Sequence, residues 1–174
     1  MVTRLALYLK TRRAVSVSVT KALAAASAYA AEDVLSEHAT TGTVWTFAAV
    51  VPANGGKGYI VKAQVISETN DVVPQLTLFL FHTAPTSELN DNVQNTALLH
   101  ADLANYVGKI EFPTLAELNG DSEAIVTPST AGELPLRFEC ASGANDLIGI
   151  LVTADAFTQV ATDDMTVVLT TEPD

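Results

Sequence analysis

The residues of this chain that could do chemistry are few and far apart. Its histidines, His38, His82 and His100, stand singly, none with a second histidine or a cysteine at ligand spacing. A cupin-type metal site needs at least two histidines close together on one strand, and this pattern offers none. Cys140 is the only cysteine, which excludes an internal disulfide and a thiolate zinc cluster. In "LRFEC", Leu136, Phe138 and Cys140 alternate with Arg137 and Glu139, so the thiol is expected in the core. "ANGGKGY" has the look of a phosphate loop, but Val51 and Gly58 stand where that motif requires glycine and Ser or Thr. A Gly-x-Ser-x-Gly nucleophile elbow is absent. Asp91, Asp121, Asp163 and Asp164, in "ELNDN", "NGDSE" and "ATDD", have the oxygens calcium takes, yet Asp and Asn in turns commonly close their own backbone. The expectation is a protein that is not an enzyme and carries neither metal nor cofactor.

The elements that would position these residues read as strands. "AVSVSVT" (14–20) alternates Val15, Val17 and Val19 with Ser16, Ser18 and Thr20, the period of a half-buried strand. "TVWTFAAVV" places Trp45, Phe47 and Ala49 on one side, and "YIVKAQVIS" places Tyr59, Val61, Ala63 and Val65 on one face with Lys62 and Gln64 on the other. The Asn54-Gly55 pair between them predicts a hairpin. "QLTLFLFH" is apolar on both faces apart from Thr77, as for a central strand covered on both sides by sheet or by partners. "YVGKIEF", "EAIVT", "ELPLRFE", "DLIGILVTA" and "MTVVLTT" bring the count to about nine strands between turn clusters. Helix is scarce, confined to "HADLANY" and, less clearly, "KALAAASAYAA". The fold class predicted is all-β, a single β-sandwich or jelly-roll-like domain over residues 14–174 with an extended N-terminal arm over 1–13.

Charge sets the partners. The net charge is −11, yet Arg4, Lys10, Arg12, Arg13 and Lys21 give the first 21 residues +5 with no acid among them, which leaves −16 for the rest. A body so acidic repels phosphate backbones, so no nucleic acid is expected as a partner. No apolar run approaches the roughly 18 residues of a membrane-crossing helix. The alanine stretch that follows the basic arm invites a signal-peptide reading, but Lys21 and the alternating Ser and Thr break the apolar run such a peptide needs.

One block goes further. Residues 78–112, "LFLFHTAPTSELNDNVQNTALLHADLANYVGKIEF", resemble a segment of small virion structural proteins of tailed bacteriophages. A strand ending in Leu-Phe-x-Phe leads there to Pro-Thr, to Asp-Asn, and to Asp-x-x-x-x-Val-Gly before the next strand. The matching residues are Leu78, Phe79, Phe81, Pro85, Thr86, Asp91, Asn92, Asp102, Val107 and Gly108. "SVTKALAAASAYAAEDVL" resembles the opening of such proteins at Tyr29, Ala31, Asp33 and Val34, and "LIGILVTADAFTQVATDDMTVVL" resembles their final strands. The likeness departs at Glu32, where glycine is expected, and at Thr20-Lys21, where an Arg-Pro pair is common.

The resemblance implies a capsid decoration, or cement, protein on the outer surface of the virion. Such a protein binds the major capsid protein lattice and stabilises the head, here as an expected homotrimer. It makes the arm a contact to the capsid or to a sister subunit through Arg4, Leu7, Tyr8, Lys10, Arg12 and Arg13. The alternative is a virion-surface glycan-binding or fibre-base module, which needs an exposed aromatic platform. Trp45 is the only tryptophan and falls on the core side of its strand.

Overall fold

A computed structural model of the chain describes residues 13–24, 27–117, 119–128, 133–160 and 162–174. The strands are β1 (Val15–Ala22), β2 (Ala28–Tyr29), β3 (Val34–Leu35), β4 (Trp45–Phe47), β5 (Lys57–Ser67), β6 (Leu76–Phe81), β7 (Tyr106–Glu111), β8 (Ala116–Glu117), β9 (Ser122–Val126), β10 (Leu136–Glu139), β11 (Leu147–Thr153), β12 (Phe157–Thr158) and β13 (Asp164–Pro173). Helix among the described residues is limited to a 3-10 turn over His100–Asn105.

All ladders are antiparallel. One sheet runs β1-β13-β5-β9-β8, with β10 sharing an edge of the long β5, and the other runs β3-β11-β6-β7, with β4 beside β3 on β11. The two sheets close face to face. Ile60, Val65, Val167 and Leu169 of the first and Trp45, Phe47, Leu78 and Leu151 of the second are at most 1% exposed and belong to one apolar cluster. Each such side chain contributes roughly 1.5–3 kcal/mol by leaving water. The all-β sandwich expected from the alternating strands is what forms, with Phe138 and Cys140 buried and Arg137 and Glu139 exposed.

Three local expectations are corrected. The Asn54-Gly55 turn does not close a hairpin, because β4 and β5 lie in opposite sheets. Ala49 takes φ +56°, which ends the extended run at the sheet margin, and Val50 and Val51 turn into the core. The Gly55 N–H donates to the carbonyls of Ala141 (3.1 Å) and Ala144 (2.8 Å), so the turn docks on another loop.

Tyr59 and Val61 do not share a face with Ala63 and Val65. The β5–β13 register slips between Thr170 and Thr171, leaving Val61 as the extra residue of a β-bulge. The bulge reverses the inward phase, so Ile60 is buried in place of Tyr59 and Val61. The alanine stretch is not a helix where it is described. β1 continues to Ala22, and Ala28–Tyr29 form a short strand paired with Phe157–Thr158.

Candidate interaction surface

β6 is apolar on both faces because the chain covers both. Leu76, Leu78 and Leu80 enter the core between the sheets, while Phe81 joins Val34, Ile150 and Val152 in a second cluster on the outer face. Residues 82–105, the connection from β6 to β7, fold back over that outer face and set Leu89 and Ala97 against the cluster. The apolar surplus of "QLTLFLF", which suggested covering by partner subunits, is thus largely met within the chain. A depression of about 290 Å³ remains beyond the connection, lined in part by Thr77, Phe79, Lys109 and Val152.

A long connection keeps one shape only if its own polar groups are satisfied. Two buried carboxylates do this, each 2% exposed. Asp102 accepts from the Thr86 N–H (2.8 Å) and Oγ1 (2.9 Å) and from the Ser87 N–H (3.1 Å) and Oγ (2.8 Å). Burial pushes the Asp102 carboxyl up, but these four bonds outweigh it and hold the group below the usual carboxylate range. Asp91 accepts from the Ser36 N–H (2.7 Å), and its two oxygens lie 3.0 and 3.1 Å from the Tyr29 hydroxyl. The Tyr29 ring stacks on Phe157 at 5.0 Å between centroids. Main-chain bonds add a ladder, from Val34 N–H to Val93 O, Asn92 N–H to Val34 O and Asn95 N–H to Glu32 O. Tyr29, Val34, Asp91 and Asn92, scattered in sequence, therefore clamp one part of the connection, and Asp102 with Thr86 clamps another.

A second polar anchor lies beside it. Lys21 continues the inward phase of Val15, Val17 and Val19 but is only 8% exposed. Its ammonium bonds to Glu37 and to the Thr43 carbonyl and hydroxyl, and lies 5.4 Å from the centroid of the Trp45 ring. Burial pushes Lys21 down and is only partly offset by Glu37. At the more exposed Glu37, burial pushes up, but bonds from Lys21, Thr43 and Ser36 prevail and bring the carboxyl to about 2.

The clamped connection leaves apolar side chains in solvent. Leu98, Leu99 and Leu103 are 37%, 36% and 54% exposed, and Val93 is 38% exposed. The carboxylate of Asp102, adjacent to Leu103, is the same group that fixes Thr86 and Ser87. The leucines thus sit on a held backbone, the arrangement a contact surface needs. The sequence offered Asp91 as a calcium or turn-forming carboxylate and flagged Asp102 only through the resemblance, without a role. It passed over "ALLHADLA", where paired leucines beside a helical turn were the available signal.

The other flagged residues fall as follows. Arg13 is exposed just before β1, while Arg4, Leu7, Tyr8, Lys10 and Arg12 lie outside the described residues. His38 Nδ1 accepts the N–H groups of Thr40 (3.2 Å) and Thr41 (3.1 Å), closing a turn. His82 lies at a cleft of about 480 Å³ between β7 and β10, with Tyr106, Arg137 and Glu139 also on its walls. Burial raises the Cys140 thiol to about 11, which disfavours the reactive thiolate. Asp163 accepts from the Thr69 hydroxyl (2.8 Å). Among the described residues no three His, Cys, Asp or Glu side chains gather as a metal would require.

A scan against protein-family models finds no match for this chain, and a search of curated proteins finds none either.

Proposed function

We propose that the chain is a capsid decoration protein of a tailed bacteriophage, binding the major capsid protein lattice on the outer surface of the head and stabilising it. The observation that carries this reading is the clamped 82–105 connection, whose backbone is fixed through buried Asp102 and Asp91 while Leu98, Leu99 and Leu103 remain exposed. A cement protein works by contact, and a rigid loop with apolar anchors binds without the entropic cost of ordering that loop. The same connection holds the middle of the block, residues 78–112, on which the likeness to phage virion proteins chiefly rests. The basic arm, with Arg4, Leu7, Tyr8, Lys10, Arg12 and Arg13, supplies a second contact in a homotrimeric assembly.

The glycan-binding alternative loses its best residue. Trp45 is 1% exposed and its indole N–H donates to the Leu35 carbonyl (3.0 Å), so it offers no sugar platform. The test of the capsid reading is co-sedimentation of the purified chain with empty heads assembled from the major capsid protein of the same phage. Saturable binding and heads that resist higher temperature are expected. Heads that neither bind the chain nor gain stability, while a glycan array does bind it, would transfer the function to the alternative.

A further inference from the structure

β1 is the edge strand of its sheet and pairs only with β13 among the described residues. The Leu23 N–H donates to Asp163 O on the β13 side, and the Ala24 N–H donates to Ser36 O on the other. By the alternation of an antiparallel ladder, the amide and carbonyl groups of Ser16, Ser18 and Thr20 therefore point away from β13, along an open edge. The eight-residue β1–β13 register is unbroken, and no proline, charge or bulge guards the edge between Val15 and Thr20. Natural sheets usually protect such edges unless another strand is to be added. The core-facing Val17 and Val19 are only partly buried, which leaves apolar surface for that strand to cover.

The chain carries a segment of matching pattern. Residues 1–12 lie N-terminal to the strand, and within them Leu5, Leu7 and Leu9 alternate with Ala6, Tyr8 and Lys10. We propose that residues 3–10 of a second copy of this chain add as a strand to the open edge of β1, setting Leu5, Leu7 and Leu9 on the face of Val15, Val17 and Val19. Arg4 and Lys10 then meet an acidic body that carries −16 outside the first 21 residues.

Folding the arm back onto its own β1 would need a tight turn across residues 11–14, Thr-Arg-Arg-Ala, which contain no Gly, Pro, Asn or Asp. A symmetric two-fold exchange in the face-matching register would set Arg12 or Arg13 against its own copy. Head-to-tail exchange around a closed ring avoids that repulsion, and a ring of three is the trimer proposed above.

The experiment uses full-length chains and no capsid, so its outcome stands apart from the capsid reading. Light scattering should give a multiple of the chain mass for the native protein and the mass of one chain for two variants. Leu5→Lys/Leu7→Lys/Leu9→Lys removes the apolar row, and Ser18→Pro removes an edge-facing N–H without breaking a β13 bond. As a check independent of folding, a Leu7→Cys chain mixed with a Val17→Cys chain should give a disulfide-linked pair under mild oxidation. A native chain that is monomeric at its highest soluble concentration overturns the proposal. So do variants that keep the native assembly size, or mixed cysteine chains that fail to cross-link.

Discussion

The Tyr29 hydroxyl lies 3.0 and 3.1 Å from the two carboxylate oxygens of Asp91, joining β2 to the connection that covers the outer face of the β3-β11-β6-β7 sheet. Both residues are buried, Tyr29 at 1% and Asp91 at 2% exposure. A buried carboxylate is tolerated only where hydrogen bonds replace its water, so this contact helps decide whether residues 82–105 keep their shape.

Tyr29→Phe should therefore cost about 1–2 kcal/mol, a hydrogen bond to a charged group with its donor removed. Asp102→Ala should cost more, about 2–4 kcal/mol, because four donors on Thr86 and Ser87 lose one acceptor. Urea unfolding measures both. Tyr29→Phe as stable as the native chain would show that the clamp does not depend on this hydroxyl.

Glu37 gives the acid limb of stability its direction. Its carboxyl is held at about 2 in the folded chain, below the ordinary 4.5. The unfolded chain therefore binds the extra proton first, and the contribution is present above about 4.5 and lost as pH falls toward about 2. Asp102 acts in the same direction. Glu37→Gln should lower stability at neutral pH and flatten its decline over that interval. An unchanged acid limb, measured by urea midpoints across pH, would contradict the assignment.

Glu32 takes φ +72° at the third position of a turn closed by the Asp33 N–H on Ala30 O (3.3 Å). That position favours glycine. A left-handed non-glycine residue costs roughly 1–2 kcal/mol, against roughly 0.5–1 kcal/mol for the added freedom of glycine in the unfolded chain. Glu32→Gly should thus stabilise by up to about 1 kcal/mol, and Glu32→Ala should not. A lower urea midpoint for Glu32→Gly would show that this turn is unstrained.

The sandwich was legible wherever inward and outward residues alternate without interruption, as in Val15–Val19, Leu136–Cys140 and Met165–Leu169. It was obscured where one residue shifts the phase, as at the Val61 bulge, or where a turn docks on another loop, as at Asn54-Gly55. The two-residue strands at 28–29, 34–35, 116–117 and 157–158 are too short to show a period. In the sequence Lys21 interrupts an apolar run. It is buried because Glu37 and Thr43, distant in sequence, neutralise and bond it. Asp91 was readable as a turn former and Asp102 as part of a helical stretch, but their partners Tyr29, Ser36, Thr86 and Ser87 are set by the fold, which no local spacing encodes.

Capsid occupancy of the native chain against Leu98→Asp/Leu103→Asp, measured by co-sedimentation with empty heads, tests the central claim most directly. Both leucines are exposed, so the variant should keep the native circular dichroism spectrum and urea midpoint while its affinity for heads falls at least about tenfold, the equivalent of 1.4 kcal/mol. Binding of the variant equal to that of the native chain, with its fold intact, would contradict the account of the 82–105 connection as the capsid-facing surface.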